Sequence, residues 1–378
     1  MLFPLNLHTP QCPVFKLLNN EVLHFLRACI SATEFSKALF SQHAMEGGNV
    51  TSVCWTNPPT RERFQLLWED LPSGPKARRQ LYELINGAQN IAIYFNDVTA
   101  PLPELPSDRL FSAFQSLTTH LYTRTKDLAD AKAQAGSSIE THFQNFKHAN
   151  NGTQLCFLCG TARLSQDRSG LDDDDQWRAD YDHILCKDKY PIYSVHPGNF
   201  VPTCHICNSK AKGARNVLRC QAGNRRTAFY PLPPSQESCH DFAAVTLKLS
   251  NRGELVSSYW DSPLATQVSF PEAPTEIASK IEVWAEVYRV PARVEHEILT
   301  HFYERIAVDL LYPNDFKEFC LHLSRRSQRL PFNYNKAEWA FWWHRLYEYL
   351  SAQDLEFLND IWSLIAWKSA QLDDNAFA

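Results

Sequence analysis

The chain has 378 residues, a formal net charge of −5, and 44% hydrophobic against 21% charged residues. These balances exclude wholesale disorder and a general cationic nucleic-acid coat, and the length suggests two or three domains. No stretch approaches the ~18 consecutive apolar residues of a spanning helix, and the Met1–His8 start is not a basic leader followed by an apolar core, so a cytoplasmic address without membrane contact is expected.

Residues 1 to about 105 alternate apolar runs with breaks such as Asn57-Pro58-Pro59 and Pro72-Ser73-Gly74-Pro75, which predicts several short helices. Leu81, Leu84 and Ile85 carry helical spacing over 77–85, whereas 91–95 reads as a short buried strand. Ser107 and Asp108 are candidate caps for a helix running toward Ala133, and Gly136-Ser137-Ser138 breaks it. A second helix from Ser138 to about His148 presents Ile139, Phe143 and Phe146 on one face.

Farther on, 226–232 and 243–249 are rich in β-formers, and Asn251-Arg252-Gly253 followed by 254–260 reads as a hairpin. Helical spacing returns near 276–290, 292–310, 314–325, 336–350 and 355–370, with Asn335 and Asp354 as caps for the last two. The aromatic group Trp339, Phe341, Trp342, Trp343, Tyr347 and Tyr349 is expected to form a helical core, the alternative being an exposed base-stacking platform.

The 11 cysteines of a chain without an export signal are expected to be reduced, so closely spaced pairs read as metal ligands. Cys156-Phe157-Leu158-Cys159 and Cys204-His205-Ile206-Cys207 supply the four thiolates of a closed tetrahedral zinc site, and the 44 residues between them must fold as an insert. Cys186, Cys220 and Cys239 lack paired spacing and read as free thiols; Cys12, Cys29, Cys54 and Cys320 read as core residues. From Lys187 to Arg226 the chain carries Lys187, Lys189, Lys210, Lys212, Arg215, Arg219, Arg225 and Arg226 against the single acid Asp188, which predicts a local basic face for phosphates or, alternatively, a solvated surface. Asp172–Asp175 reads as a solvated acidic loop.

Tyr181-Asp182-His183-Ile184-Leu185, then Gly198-Asn199-Phe200-Val201-Pro202-Thr203, then Cys204-His205-Ile206-Cys207-Asn208-Ser209-Lys210, resembles the HNH endonuclease family, in the branch whose ββα-metal hairpin is clasped by a four-cysteine zinc site. The resemblance spans about 60 of the 378 residues. It implies His183 as general base, Asp182 and Asn208 as ligands of a catalytic Mg²⁺ or Mn²⁺, and Asn199 as the residue that pins the hairpin loop and orients His183. Cys156, Cys159, Cys204 and Cys207 would hold a structural Zn²⁺, with Lys210, Lys212 and Arg215 on DNA. Cys186 stands where the family commonly has proline, and His196 and His205 read as structural.

The expected fold class is therefore α+β: a central ββα-metal HNH module with two Cys-x-x-Cys knuckles, flanked by a mixed, mainly helical N-terminal region and a β-hairpin plus helical C-terminal region. The expected divisions are 1–137 (N-terminal region), 138–225 (zinc-clasped nuclease domain), 226–270 (β-rich) and 271–378 (helical). By family analogy alone, the chain resembles effectors of bacterial antiphage or restriction-like systems, with DNA and a protein of such a system as partners. The rival reading is a non-catalytic zinc-knuckle subunit that binds nucleic acid or protein.

Overall fold

Residues 1–166, 177–249, 264–310, 315–328 and 336–376 are described in the computed structural model of the chain. They fall into two units, an N-terminal unit of Pro4–Thr153 with Leu164–Glu237 and a C-terminal unit of Met1–Phe3, Gln154–Arg163 and Ser238–Ala378. The class is α+β, with helices dominating and three separate two-stranded antiparallel sheets among the described residues.

In the N-terminal unit, α1 (Pro13–Ala28), α3 (Pro58–Asp70) and α4 (Pro75–Gly87) each begin on a proline, whose fixed φ and missing N–H suit the first helical position. Between α1 and α3 lie the hairpin β1 (Gln42–Met45) and β2 (Gly48–Thr51) and the single turn α2 (Val53–Thr56). After α5 (Ile93–Asn96), α6 (Asp108–Thr123) starts at Ser107, whose hydroxyl accepts the Leu110 N–H at 3.2 Å. The short α7 (Ala129–Ala135) stops at Gly136, which takes the left-handed conformation at φ 62°, and Ser138 caps α8 (Ile139–Ala149) by accepting the Thr141 N–H. The strands β3 (Tyr181–His183) and β4 (Phe200–Pro202) pair with His183 opposite Phe200 and Asp182 opposite Val201.

In the C-terminal unit, β5 (Ala244–Leu249) pairs with β6 (Leu264–Ser269), and among the described residues five helices follow: α9 (Thr275–Tyr288), α10 (Val290–Asp309), α11 (Phe316–Ser327), α12 (Ala340–Ser351) and α13 (Leu355–Ala376). Tyr349 of α12 donates to the Leu247 carbonyl, and Glu295 of α10 accepts the Val268 N–H, so both helices are tied to the sheet. Phe341, Trp342, Trp343 and Tyr347 are buried, so four of the aromatic residues form helix core, each burial worth about 2–3 kcal/mol. Among the described residues no helix is long and apolar enough to cross a membrane.

Several local expectations need correction. The 91–95 run forms the helical turn α5 instead of a strand, because a short apolar run has no period long enough to decide, and its Tyr94 and Phe95 are buried in either state. Residues 226–232 form no strand: Pro231 removes a ladder donor within the run, Pro233 and Pro234 follow directly, and the segment buries Ala228, Phe229, Tyr230 and Leu232 individually. The expected helix toward Ala133 ends at Thr123 and resumes as α7. The helix expected from 336 begins at Ala340, while Asp354 caps α13 as anticipated, accepting the Phe357 N–H at 2.7 Å. Asn335, Asp172–Asp175 and the 251–260 hairpin lie outside the described residues; β5 finds its partner at Leu264–Ser269.

Candidate functional site

Each cysteine pair sits on a tight turn built by its own neighbours. In the first, the Cys159 and Gly160 N–H groups both donate to the Cys156 carbonyl at 3.2 and 2.8 Å, and Thr161 donates its hydroxyl to Cys159 Sγ at 3.2 Å. Gly160 sits at φ 66° with Leu2 and Phe3 against it, so a side chain there would be strained and would collide. The carbonyls of this turn, which belongs to the C-terminal unit, are held by tryptophans of the same unit: Trp284 Nε1 donates to Leu158, Trp342 Nε1 to Cys159 and Trp339 N to Gly160.

In the second pair, Cys207 N donates to Cys204 Sγ at 3.5 Å, and the chain runs into a short helix over Ile206–Lys212. Gly213 N donates to the Asn208 carbonyl at 2.8 Å, an i→i+5 bond of the π type that is frequent at functional sites. The four cysteine Sγ atoms lie within 4.8 Å of one another and all four residues are buried. Tetrahedral thiolate ligation at about 2.3 Å requires sulfur–sulfur separations of about 3.8 Å. The set is thus positioned to bind a metal ion and is compatible with structural zinc.

The second centre is the β3–β4 hairpin. His183 Nε2 donates to the Ser194 carbonyl at 3.2 Å; a carbonyl only accepts, which assigns the proton to Nε2 and leaves the lone pair on Nδ1. The ring packs edge-on against Tyr122 and Phe200, with centroids at 4.4 and 4.6 Å, and Phe15 stacks on both of those rings. Burial, and then the Lys212 ammonium, hold the His183 pKa down at about 3 against the opposing pull of the Ser194 carbonyl. The imidazole is neutral at physiological pH.

Asn199 is fully buried and closes the loop between the two strands. Its Oδ1 accepts the Leu185 N–H at 2.7 Å, and its Nδ2 donates to the Leu185 and Tyr193 carbonyls, both at 3.0 Å. It acts on His183 indirectly: by gripping Tyr193, the neighbour of Ser194, it places the carbonyl that orients the ring.

Asp182 and Lys212 are each only 2% exposed, and Lys212 Nζ donates to Asp182 Oδ1 at 2.7 Å and to the His183 carbonyl at 2.6 Å. Lys212 therefore departs from the expected phosphate contact; it is an internal cation that ties the Ile206–Lys212 helix to β3. Asp182 Oδ2 is buried without a hydrogen-bond partner among the described residues. That oxygen fits a cation ligand, while the ammonium on Oδ1 already offsets the charge of the carboxylate. Asn208 is half-buried on the same helix as Lys212.

The basic run is smaller at the surface than its composition suggests. Arg225 donates to the Leu218, Tyr94 and Asp97 carbonyls, and Arg226 to those of Val217 and Asn216, so both guanidiniums hold the fold together. Lys189 and Lys210 are exposed, and Lys187, Arg215 and Arg219 half-buried. His196, expected to be structural, is buried with Nε2 donating to the Gln89 carbonyl and Nδ1 accepting the Gly198 N–H, and burial lowers its pKa to about 4.

Sequence reasoning missed Tyr122 and Ser194. Tyr122 comes from a helix about 60 residues away in sequence, and Ser194 acts through a backbone carbonyl that any residue provides. Comparisons with protein-family models, curated proteins and solved structures found no match to the chain.

Proposed function

We propose that the chain is a metal-dependent HNH-type endonuclease that hydrolyses DNA phosphodiester bonds. The observation that carries this reading is the hairpin on which a neutral His183, its Nδ1 lone pair unengaged by the Ser194 contact, adjoins a buried Asp182 with one oxygen unpartnered. In the proposed reaction His183 Nδ1 takes a proton from water, the oxygen attacks phosphorus, the P–O3′ bond breaks, and the 3′ oxygen leaves to be protonated by solvent. The negative charge of the incoming phosphodiester raises the proton affinity of His183 from its low starting point toward the range in which a base works.

Asp182, through Oδ2, and Asn208 would hold Mg²⁺ or Mn²⁺, which when bound supplies charge stabilisation at the phosphate and the leaving oxygen. Two protein oxygens leave most of the coordination to water and phosphate. Zinc at Cys156, Cys159, Cys204 and Cys207 is assigned a structural role. Lys210 and Arg215 are the proposed phosphate contacts on the DNA, and by analogy the chain would act in antiphage or restriction-like defence in the cytoplasm, alongside a partner protein.

One base and one catalytic ion break one strand per turnover. Supercoiled plasmid should pass through open circles before linear DNA appears, and the rate should fall steeply with salt. Linear product with no preceding open circles would mean concerted cutting by a dimer.

One observation favours a second reading, a silent zinc-knuckle binding module: Lys212 already pairs with Asp182. Metal-dependent nicking of plasmid by the purified chain separates the two, because a silent module retains DNA and cuts nothing.

A further inference from the structure

We propose that the C-terminal unit carries a binding site for a phosphate-bearing ligand, in the cleft where the last turns of α10 and α11 meet one face of α12. The cleft encloses about 330 Å³, with Arg305, Arg325 and Arg326 on one side and Trp343, His344 and Tyr347 on the other. That volume is at the small end of ligand pockets and suits a nucleotide-sized or smaller anion.

Among its described lining residues Asp309 is the only carboxylate, and the geometry gives Asp309 an organising role. Arg305 Nε lies 2.8 Å from Asp309 Oδ2, and the Tyr347 hydroxyl donates to the same oxygen at 2.6 Å. Arg326 Nε donates to the Asp309 backbone carbonyl at 3.2 Å, with its Nη2 at 3.9 Å from Oδ1. Arg325 is exposed and has no partner among the described residues. Three guanidiniums thus face one carboxylate. His344 adds no charge near neutral pH, because burial lowers its pKa. Glu348, the nearest other acid on α12, does not line the cleft and is already engaged by Arg345 at 2.8 Å and His344 at 3.3 Å.

Among the described residues a net excess of two positive charges therefore remains in a concave site. Like charges gathered there repel one another, and an anion relieves the repulsion. Basic residues in the final turn of α11 also complement its dipole, but that accounts for Arg325 and Arg326 only. It explains neither Arg305, which comes from α10, nor a hollow lined by all three. Guanidiniums present forked donors that match phosphate oxygens, which selects phosphate over smaller or monodentate anions.

The source of the phosphate, a free nucleotide-like molecule or a nucleic-acid backbone, is decided by titration calorimetry on the intact, metal-loaded chain. The probes are pyrophosphate, a 5′-mononucleotide and a short single-stranded oligonucleotide. Arg325→Glu is expected to leave the melting temperature unchanged and to weaken binding by about tenfold or more, with Arg305→Gln weakening it as well. Pyrophosphate or mononucleotide binding that is lost in Arg325→Glu identifies a small phosphorylated ligand; binding confined to the oligonucleotide and lost in the same variant identifies a strand. Failure of all three probes to bind, or binding that both variants leave intact, overturns the proposal. The readout is binding and not cleavage, so it stands apart from the nuclease reading.

Discussion

Asp182 in the N-terminal unit and Asp309 in the C-terminal unit are both carboxylates gripped by cations, and they differ in what is left over. Asp182 meets a single ammonium and both partners are sealed from water, so the charges cancel and one oxygen remains unpartnered. Asp309 draws in Arg305, Arg326 and Tyr347 at the wall of an open cleft, where positive charge is in excess. A sealed, balanced pair fixes a geometry; an open, unbalanced cluster holds a field toward solvent.

Substitutions can break that contrast in order of expected size. Cys204→Ser removes a thiolate of the proposed zinc site, where metal binding would be part of the folding free energy, so it should abolish bound zinc, hairpin structure and cleavage together, as read by elemental analysis and circular dichroism. Next, Lys212→Met strands the Asp182 charge in the interior, and should lower the opening free energy of the β3–β4 hairpin by about 3–5 kcal/mol. Hydrogen exchange at the Ile184 and Leu185 amides reports this, since both are held by Asn199. The double variant Asp182→Leu/Lys212→Met should recover most of the loss; an equally unstable double variant would mean that the pair is not balanced in the way described. Asp309→Asn, at the cleft, should cost only about 1 kcal/mol, because the amide still accepts from Tyr347 and the guanidiniums stay solvated.

A pH slope adds an effect that no substitution is needed to see. His196 binds its proton below about pH 4 in the fold but near 6.5 when unfolded. Between those values the unfolded chain takes up more protons, so stability is full above pH 6.5 and declines as pH falls toward 4, by about 3 kcal/mol at most from this residue. His196→Asn keeps an acceptor for the Gly198 N–H and should flatten that part of the stability curve by one proton. An unchanged slope would assign the acid sensitivity to other groups.

The cysteine pairs were legible because they depend on local spacing, two cysteines per turn, whereas Asn199 was expected only through the resemblance to the HNH motif. Charge was misleading, since composition counts Lys212, Arg225 and Arg226 as surface cations, and only tertiary packing reveals that one is buried and two bind carbonyls. The cleft at Asp309 could not be read at all. Its cations lie on two helices and its apolar wall on a third, and each looks unremarkable on its own helix.

The central claim is tested most directly by plasmid cleavage with His183→Ala beside the wild-type chain, at equal zinc content and in the presence of Mg²⁺ or Mn²⁺. Loss of a general base should slow nicking by a factor on the order of 10² or more, with the metal content and the fold retained. Nicking by His183→Ala at the wild-type rate, or no metal-dependent nicking by the wild-type chain, would contradict it.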